Sequence, residues 1–265
     1  FKDAETRTAE RTGEGVETWT PPQGLPDVYI AMGQTAENVA QSKGVSRKDQ
    51  DEWGVRSQNR AEAAASRGFF EREITPYTVP DGTVVTADDG IRAGTTYENV
   101  SQLNPVFRPD GTVTAGNACP LNDGAAAVVV MSEEKASELG VTPLAKIVAS
   151  GVSSLNPEVM GLGPIDAINQ TLKRANMAIS DIDLVEINEA FAAQVIPSAE
   201  ETGIDHDKLN VNGGAIALGH PFGMTGARIM TTLINGLEDA DKEFGLETMC
   251  VGGGQGMAMI VQRMS

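Results

Sequence analysis

The run "AAAVVVM", Ala125 to Met131, carries no polar side chain. A continuous apolar stretch of that length suits a central strand buried on both faces, a position found in sheets with helices on both sides. Four more stretches read as strands: "LAKIVASGVSS" (Leu144–Ser154), "DIDLVEIN" (Asp181–Asn188), "GLETMCVGG" (Gly245–Gly253) and "GMAMIVQRM" (Gly256–Met264). Between them lie helical patterns at Glu133–Leu139, near Pro164–Asn176, and in "EAFAAQVIPSAEET" from Glu189 to Thr202. This alternation predicts an α/β fold with a mostly parallel or mixed sheet and helices on its faces.

The chain before Thr112 has a different texture. Its clearest helix is expected from Ser46 to Arg67, with Ser46 and Asp49 as a capping pair and Gly68 as the stop. Trp53, Ser57, Ala61 and Ala64 give that helix one face of small residues around an indole. A shorter helix is expected at Thr35–Ser42. Residues Phe69–Pro109 read as short strands and turns, with "PDG" at Pro80 and again at Pro109 as turn signals. Phe1–Pro26 is polar and shows no period, as befits a loop or a partner-contacting extension.

Charge and cysteine usage narrow the function classes. A net charge of −17 works against a nucleic-acid partner, whose phosphates would be repelled over most of the surface. No apolar run approaches the ~18 residues of a membrane span. Two cysteines without CxxC spacing make no disulfide framework or metal site, although counting alone leaves a Cys119–Cys250 bridge open. A reducing cytoplasm is the simpler expectation. The chain opens on Phe1, and "FKDAETRTAERTGEG" has no apolar signal core, so a fragment or a processed chain is expected.

Three strand ends carry polar residues where α/β sheets usually meet their ligands. Cys250 precedes glycines at 252, 253, 254 and 256. It reads either as a small buried hydrophobe or as a proton-transfer thiol of lowered pKa beside backbone donors. His220 is one of two histidines. It lies between Gly219 and Pro221, just before a helix starting near Thr225, whose N-terminus would keep the imidazole neutral. The other, His206 in "IDHDKLN", reads as a solvated loop residue. Asn188 is either a polar ligand contact or the N-cap of a helix opening at Glu189, which would then be a first-turn carboxylate.

Taken together, "GTVTAGNACPLNDGAAAV", "NEAFA", "GGAIALGHPFGMTGAR" and "CVGGGQG" resemble the thiolase family. The resemblance runs from "MGQTAENVA" at Met32 to the C-terminus. It implies the thiolase fold, a layered αβαβα arrangement with mixed sheets. It also implies thiolytic cleavage of 3-ketoacyl-CoA, or the reverse Claisen condensation. By motif His220 would activate the nucleophile and line an oxyanion hole. Asn188 would hold a water there, Cys250 would shuttle the α-carbon proton, and the Gly252 N–H would serve a second hole. Arg92 and the Ala115–Cys119 loop would hold CoA, with Met32, Met160 and Phe191 lining its slot. Without the motif, Arg92 is a surface charge, and Met32, Met160 and Phe191 are core packing. CoA is implied as substrate, acyl-CoA as partner, no cofactor or metal as resident, and a homodimer or homotetramer as the assembly.

Two details, Phe222 with Met224 and Cys119 where serine is common, resemble actinobacterial thiolases of fatty-acid or steroid side-chain β-oxidation. The family's nucleophilic cysteine has no counterpart motif in the chain. The expected division is a loop domain at 1–121, the last strand and helix of an N-terminal half at 122–142, and the C-terminal half at 143–265. On that division "AAAVVVM" would lack its strand neighbours and expose an apolar edge. Biosynthetic acetoacetyl-CoA formation and an inactive CoA-binding fragment are the alternatives.

Overall fold

The structure, a computed structural model, describes residues 27–264. The expected extension at Phe1–Pro26 lies outside them. Helices α1 (Met32–Lys43) and α2 (Arg47–Ser66) open the described chain. α1 starts three residues before the expected Thr35. α2 begins as the capping pair requires: the Ser46 hydroxyl accepts the Asp49 N–H at 3.1 Å and donates to its carboxylate at 2.6 Å. The face bearing Trp53, Ser57, Ala61 and Ala64 is buried.

A small hairpin of β1 (Tyr77–Thr78) and β2 (Val84–Val85) turns on the first "PDG". A one-turn helix, α3 (Tyr97–Val100), and then α4 (Glu133–Leu139) follow. Strand β3 (Ala145–Ser154), helix α5 (Gly163–Ala175), strand β4 (Leu184–Ile187) and helix α6 (Ala192–Thr202) come next. The chain ends with α7 (Ala215–Leu218), α8 (Thr225–Asp239), β5 (Phe244–Val251) and β6 (Gln255–Arg263).

The main sheet is mixed, in the order β3-β6-β5-β4. β6 runs antiparallel to both β3 and β5, whereas β4 and β5 are parallel. Strand period decides which helix covers which face. Val185 and Ile187 point one way, into a core with Leu246, Ile260, Ile168 of α5 and Val195 of α6. Leu184 points the other way, onto Met230, Leu233 and Leu237 of α8. Each fully buried Ile or Leu contributes about 1.5–3 kcal/mol of transfer free energy, so these two layers hold the sheet.

The expected strand Ala125–Met131 does not form. No strand among the described residues pairs with it, and Val129 and Val130 are 85% and 70% exposed. An apolar run gains strand structure only by finding an edge to pair with and a face to cover. This one has neither among the described residues.

Candidate active site

Helix α6 opens at Ala192 with Phe191 as its N-cap, three residues later than the sequence suggested. Asn188 is therefore not its cap, and Glu189 is not a first-turn carboxylate. Both lie in the buried turn between β4 and α6. Asn188 hydrogen-bonds through its backbone, its N–H donating to Thr248 O at 3.0 Å and its carbonyl accepting from Gln194 Nε2 at 2.7 Å. Its side-chain amide is 1% exposed, yet neither Oδ1 nor Nδ2 finds a partner among the described residues. A buried amide left open on both ends costs ~1–3 kcal/mol per group unless a ligand or water satisfies it.

Glu189 is the residue the sequence reading undervalued. Its carboxylate is fully buried and accepts from Trp53 Nε1 (3.0 Å), Ser57 Oγ (2.5 Å), Asn210 Nδ2 (3.0 Å) and the Ile216 N–H (3.2 Å). It joins α2, the loop after α6 and the start of α7 at one point, directly beside Asn188. A carboxylate heading an otherwise apolar segment was the available signal, because such a group is buried only when donors surround it.

Cys250, one residue before the end of β5, sits in a small apolar cluster with Met160 and Ala190, flanked by Met32 and Phe191. Four of the expected site residues thus meet. Both cysteines are free thiols, so the Cys119–Cys250 bridge is absent. The expectation of a lowered Cys250 pKa is overturned: burial pushes the thiol up to about 12, and neighbouring Cys119 adds to it. Cys119 is itself pushed up to about 11 by burial. Both thiols are therefore protonated near neutrality. Hydrophobic surroundings outweigh the few backbone dipoles that would favour a thiolate.

The glycine turn after Cys250 serves the fold first. Gly254 has φ +93°, and a Cβ there would lie 2.1 Å from Leu155 O. Gly256 is pressed against Gly163. Gly252 is different: it is exposed, and a Cβ there would meet nothing within 4 Å, so its surroundings are open.

His220 is half-buried between α7 and α8. Its Nδ1 lies 2.6 Å from Thr225 Oγ1, and that hydroxyl donates its proton to Pro221 O at 2.9 Å. With its only proton committed, the hydroxyl accepts from Nδ1–H. This hydrogen-bond network assigns the tautomer that leaves Nε2 as an acceptor. The His220 pKa is lowered, as expected, by burial first and the Arg228 charge second. Arg228 sits in the first turn of α8, and none of its buried guanidinium nitrogens has a hydrogen-bond partner among the described residues. Two strand carboxylates in register, Glu186 and Glu247, feel that charge. Burial nevertheless pushes each up to about 8.

The loop bearing Ala115 and Cys119 is braced from below. Buried Glu37 accepts the N–H groups of Thr112 and Val113, and Asn117 donates to Asp51 at 2.9 Å. Ala115 is exposed at its turn. Arg92 is exposed on a segment tied to α2 through its own N–H and Gln58 Oε1 at 2.8 Å. Ala115, Arg92 and Gly252 line exposed surface and do not join the Cys250 cluster. His206 is exposed as expected, its ring edge-on to Trp53.

Comparison with known proteins places the sequence and its fold in a family. The N-terminal domain model of thiolases matches residues 4–134, and the thiolase C-terminal domain model matches residues 141–263. The first match reaches well before Met32, where the resemblance was expected to begin. A probable acetyl-CoA acyltransferase of Staphylococcus epidermidis is 48% identical over 91% of the chain and 62% of its own length. An acetyl-CoA acetyltransferase of Cupriavidus necator is 50% identical over 91% of the chain and 63% of its own length. The chain thus spans under two thirds of the curated relatives it matches. The Bacillus anthracis acetyl-CoA acetyltransferase superposes with a TM-score of 0.86 at 45% identity, over 88% of this chain and 60% of that one. The human mitochondrial 3-ketoacyl-CoA thiolase in complex with CoA gives 0.84 at 42%, over 90% and 61%. With both domain models matched in order and the fold shared at this level, the chain belongs to the thiolase family.

Proposed function

We propose that the chain carries the enolate-handling part of a thiolase site, acting on 3-ketoacyl-CoA and CoA. The observation that carries this reading is Asn188, a fully buried amide with both polar atoms open beside the strand end of Cys250. Breaking a carbon–carbon bond next to a thioester leaves an enolate. Its oxygen needs hydrogen-bond donors and its carbon needs a proton. Asn188, directly or through a water, would serve the oxygen, His220 would join it as a donor once its Nε2 has taken the nucleophile's thiol proton, and Cys250 would serve the carbon. A thiol held protonated by burial is in the right state to deliver that proton. Met32, Met160 and Phe191 would line the acyl or pantetheine slot. Arg92 and the Ala115–Cys119 loop would hold CoA, and the Gly252 N–H would serve the acyl-enzyme intermediate.

The nucleophile is proposed to come from outside these 265 residues. The chain has two cysteines, Cys250 buried and Cys119 half-buried, and both are thiols of raised pKa assigned to other positions. On this reading residues 1–121 form a loop domain, 122–142 end an N-terminal half and 143–265 form the C-terminal half. The unpaired apolar run at 125–131 would add its strand to the sheet of that other half. The complete protein would then be a homodimer or homotetramer working in cytoplasmic β-oxidation of fatty-acyl or steroid side-chain substrates.

The test is α-proton exchange of acetyl-CoA in D2O, followed by mass spectrometry, alongside calorimetric titration of CoA. The expected result is binding with slow exchange that Cys250→Ala abolishes, and no thiolysis. Binding without exchange would favour an inactive CoA-binding fragment. Absence of both would sink the proposal.

A further inference from the structure

A single stretch, residues 117–124, touches both loops that carry the polar groups of the site. At its start the Cys119 N–H donates to Ala190 O at 3.0 Å, and the Ala192 N–H donates to Asn117 O at 2.9 Å. Ala118 and Phe191 form an isolated antiparallel bridge between these bonds. They grip the turn that begins at Asn188. At the other end Asn122 Oδ1 accepts the His220 N–H at 3.1 Å. Gly219, at φ +88°, lies so close that a Cβ there would sit 2.2 Å from Asn122 Nδ2. Gly124 closes on the far side of the same loop, where a Cβ would meet Met224 Sδ at 2.6 Å and Pro221 Cγ at 2.8 Å. Asn122 is held in turn by its own Nδ2, which donates to Asp123 O at 3.2 Å.

We propose that Asn122 is a positioning residue, latching the His220 loop to the stretch that also holds the Asn188 turn and so fixing the two polar groups relative to each other. The inference rests on the thiolase reading of His220 and Asn188. Its physical ground is that a preorganised pair of polar groups must hold its spacing to within about half an ångström, while glycine and proline around His220 supply little side-chain packing to do so. His220 has two anchors: Thr225 fixes the ring, and Asn122 fixes the backbone.

The chain has only two histidines, which makes the test direct. In the full 265-residue chain, NMR follows amide exchange at the His220 N–H and the titration of its ring, with the His206 resonances as internal control. Asn122→Ala is expected to speed His220 amide exchange by about two- to tenfold, the loss of one hydrogen bond. It should also raise the ring's titration midpoint toward its ordinary 6.5 as water reaches the loop. Asn122→Asp keeps an acceptor oxygen and is expected to retain the amide protection. The proposal is overturned if Asn122→Ala leaves exchange and ring titration unchanged, or if Asn122→Asp loses as much protection as Asn122→Ala. CoA titration of the wild-type chain separates the two levels. A latch that behaves as stated in a chain that binds no CoA would overturn the thiolase reading alone.

Discussion

Replacing Glu189 by alanine is the most informative single perturbation. Four donors converge on its carboxylate, and they differ in what happens when it is removed. The Ser57 hydroxyl can rotate toward another acceptor. Asn210 Nδ2 keeps its bond to Ile187 O at 2.9 Å. The Trp53 indole N–H and the Ile216 backbone N–H have no such freedom, and both lie in dry surroundings. Two stranded donors at ~1–3 kcal/mol each give about 2–6 kcal/mol. The vacated volume adds to this, and relief of a buried charge subtracts from it. A net loss of about 3–5 kcal/mol is expected, a large share of a typical 5–15 kcal/mol. Urea unfolding followed by far-UV circular dichroism measures it, with Glu189→Gln falling between alanine and wild type because it keeps one acceptor oxygen. A loss below about 1 kcal/mol for alanine would refute the claim that this carboxylate holds α2, the Asn188 turn and α7 together.

The Glu186–Glu247 pair makes stability depend on pH. Their folded-state pKa values, raised from 4.5 to about 8, give stability that is full below pH 4.5 and declines as pH rises toward 8. Urea midpoints between pH 5 and 9 should fall, and Glu247→Gln should flatten the slope. Gly254→Ala is expected to cost on the order of 2–3 kcal/mol, because it combines positive φ with a Cβ pressed on Leu155 O; thermal melts check it. Cys250 should label slowly with a disulfide reagent at pH 7 and steeply faster above pH 10, as a thiol near 12 requires. Lysine at Val129 and Val130 together should leave the unfolding free energy within about 0.5 kcal/mol and reduce self-association in sedimentation, since both side chains face solvent.

What the sequence made legible follows the range of the interactions involved. Ser46 with Asp49, the αL glycine at 68, the hairpin on "PDG" and the helix at Glu133–Leu139 were readable because each depends on neighbours within four residues. Strands β3 to β6 were readable because their partners also lie in the chain. The run Ala125–Met131 met the same pattern and failed, for a strand is a property of a pair. The start of α6 was misplaced for a related reason. "NEAFA" looks like a cap and a first turn, but Glu189 is drawn away by Trp53, Ser57 and Ile216, which are far from it in sequence. Local capping propensity lost to a buried network worth more.

The chemistry shows the same division between local and collective effects. The motif placed Cys250, Met160, Met32 and Phe191, and these do meet. The protonation state was missed, because it belongs to the whole surroundings rather than to the residue. Glycines after a cysteine suggest exposed N–H groups and a stabilised thiolate. Here Gly254 and Gly256 are committed to Leu155 and Gly163, the thiol is enclosed by Met160 and Ala190, and desolvation dominates. His220 is held neutral in the same way, by burial and by Arg228. A protonated thiol is an acid suited to a carbanion, and a neutral imidazole with Nε2 free is an acceptor for a thiol proton, after which its Nε2–H can donate to an oxyanion. Neither is an activated nucleophile. The groups in this chain therefore fit the enolate-handling role proposed above better than they fit nucleophilic attack.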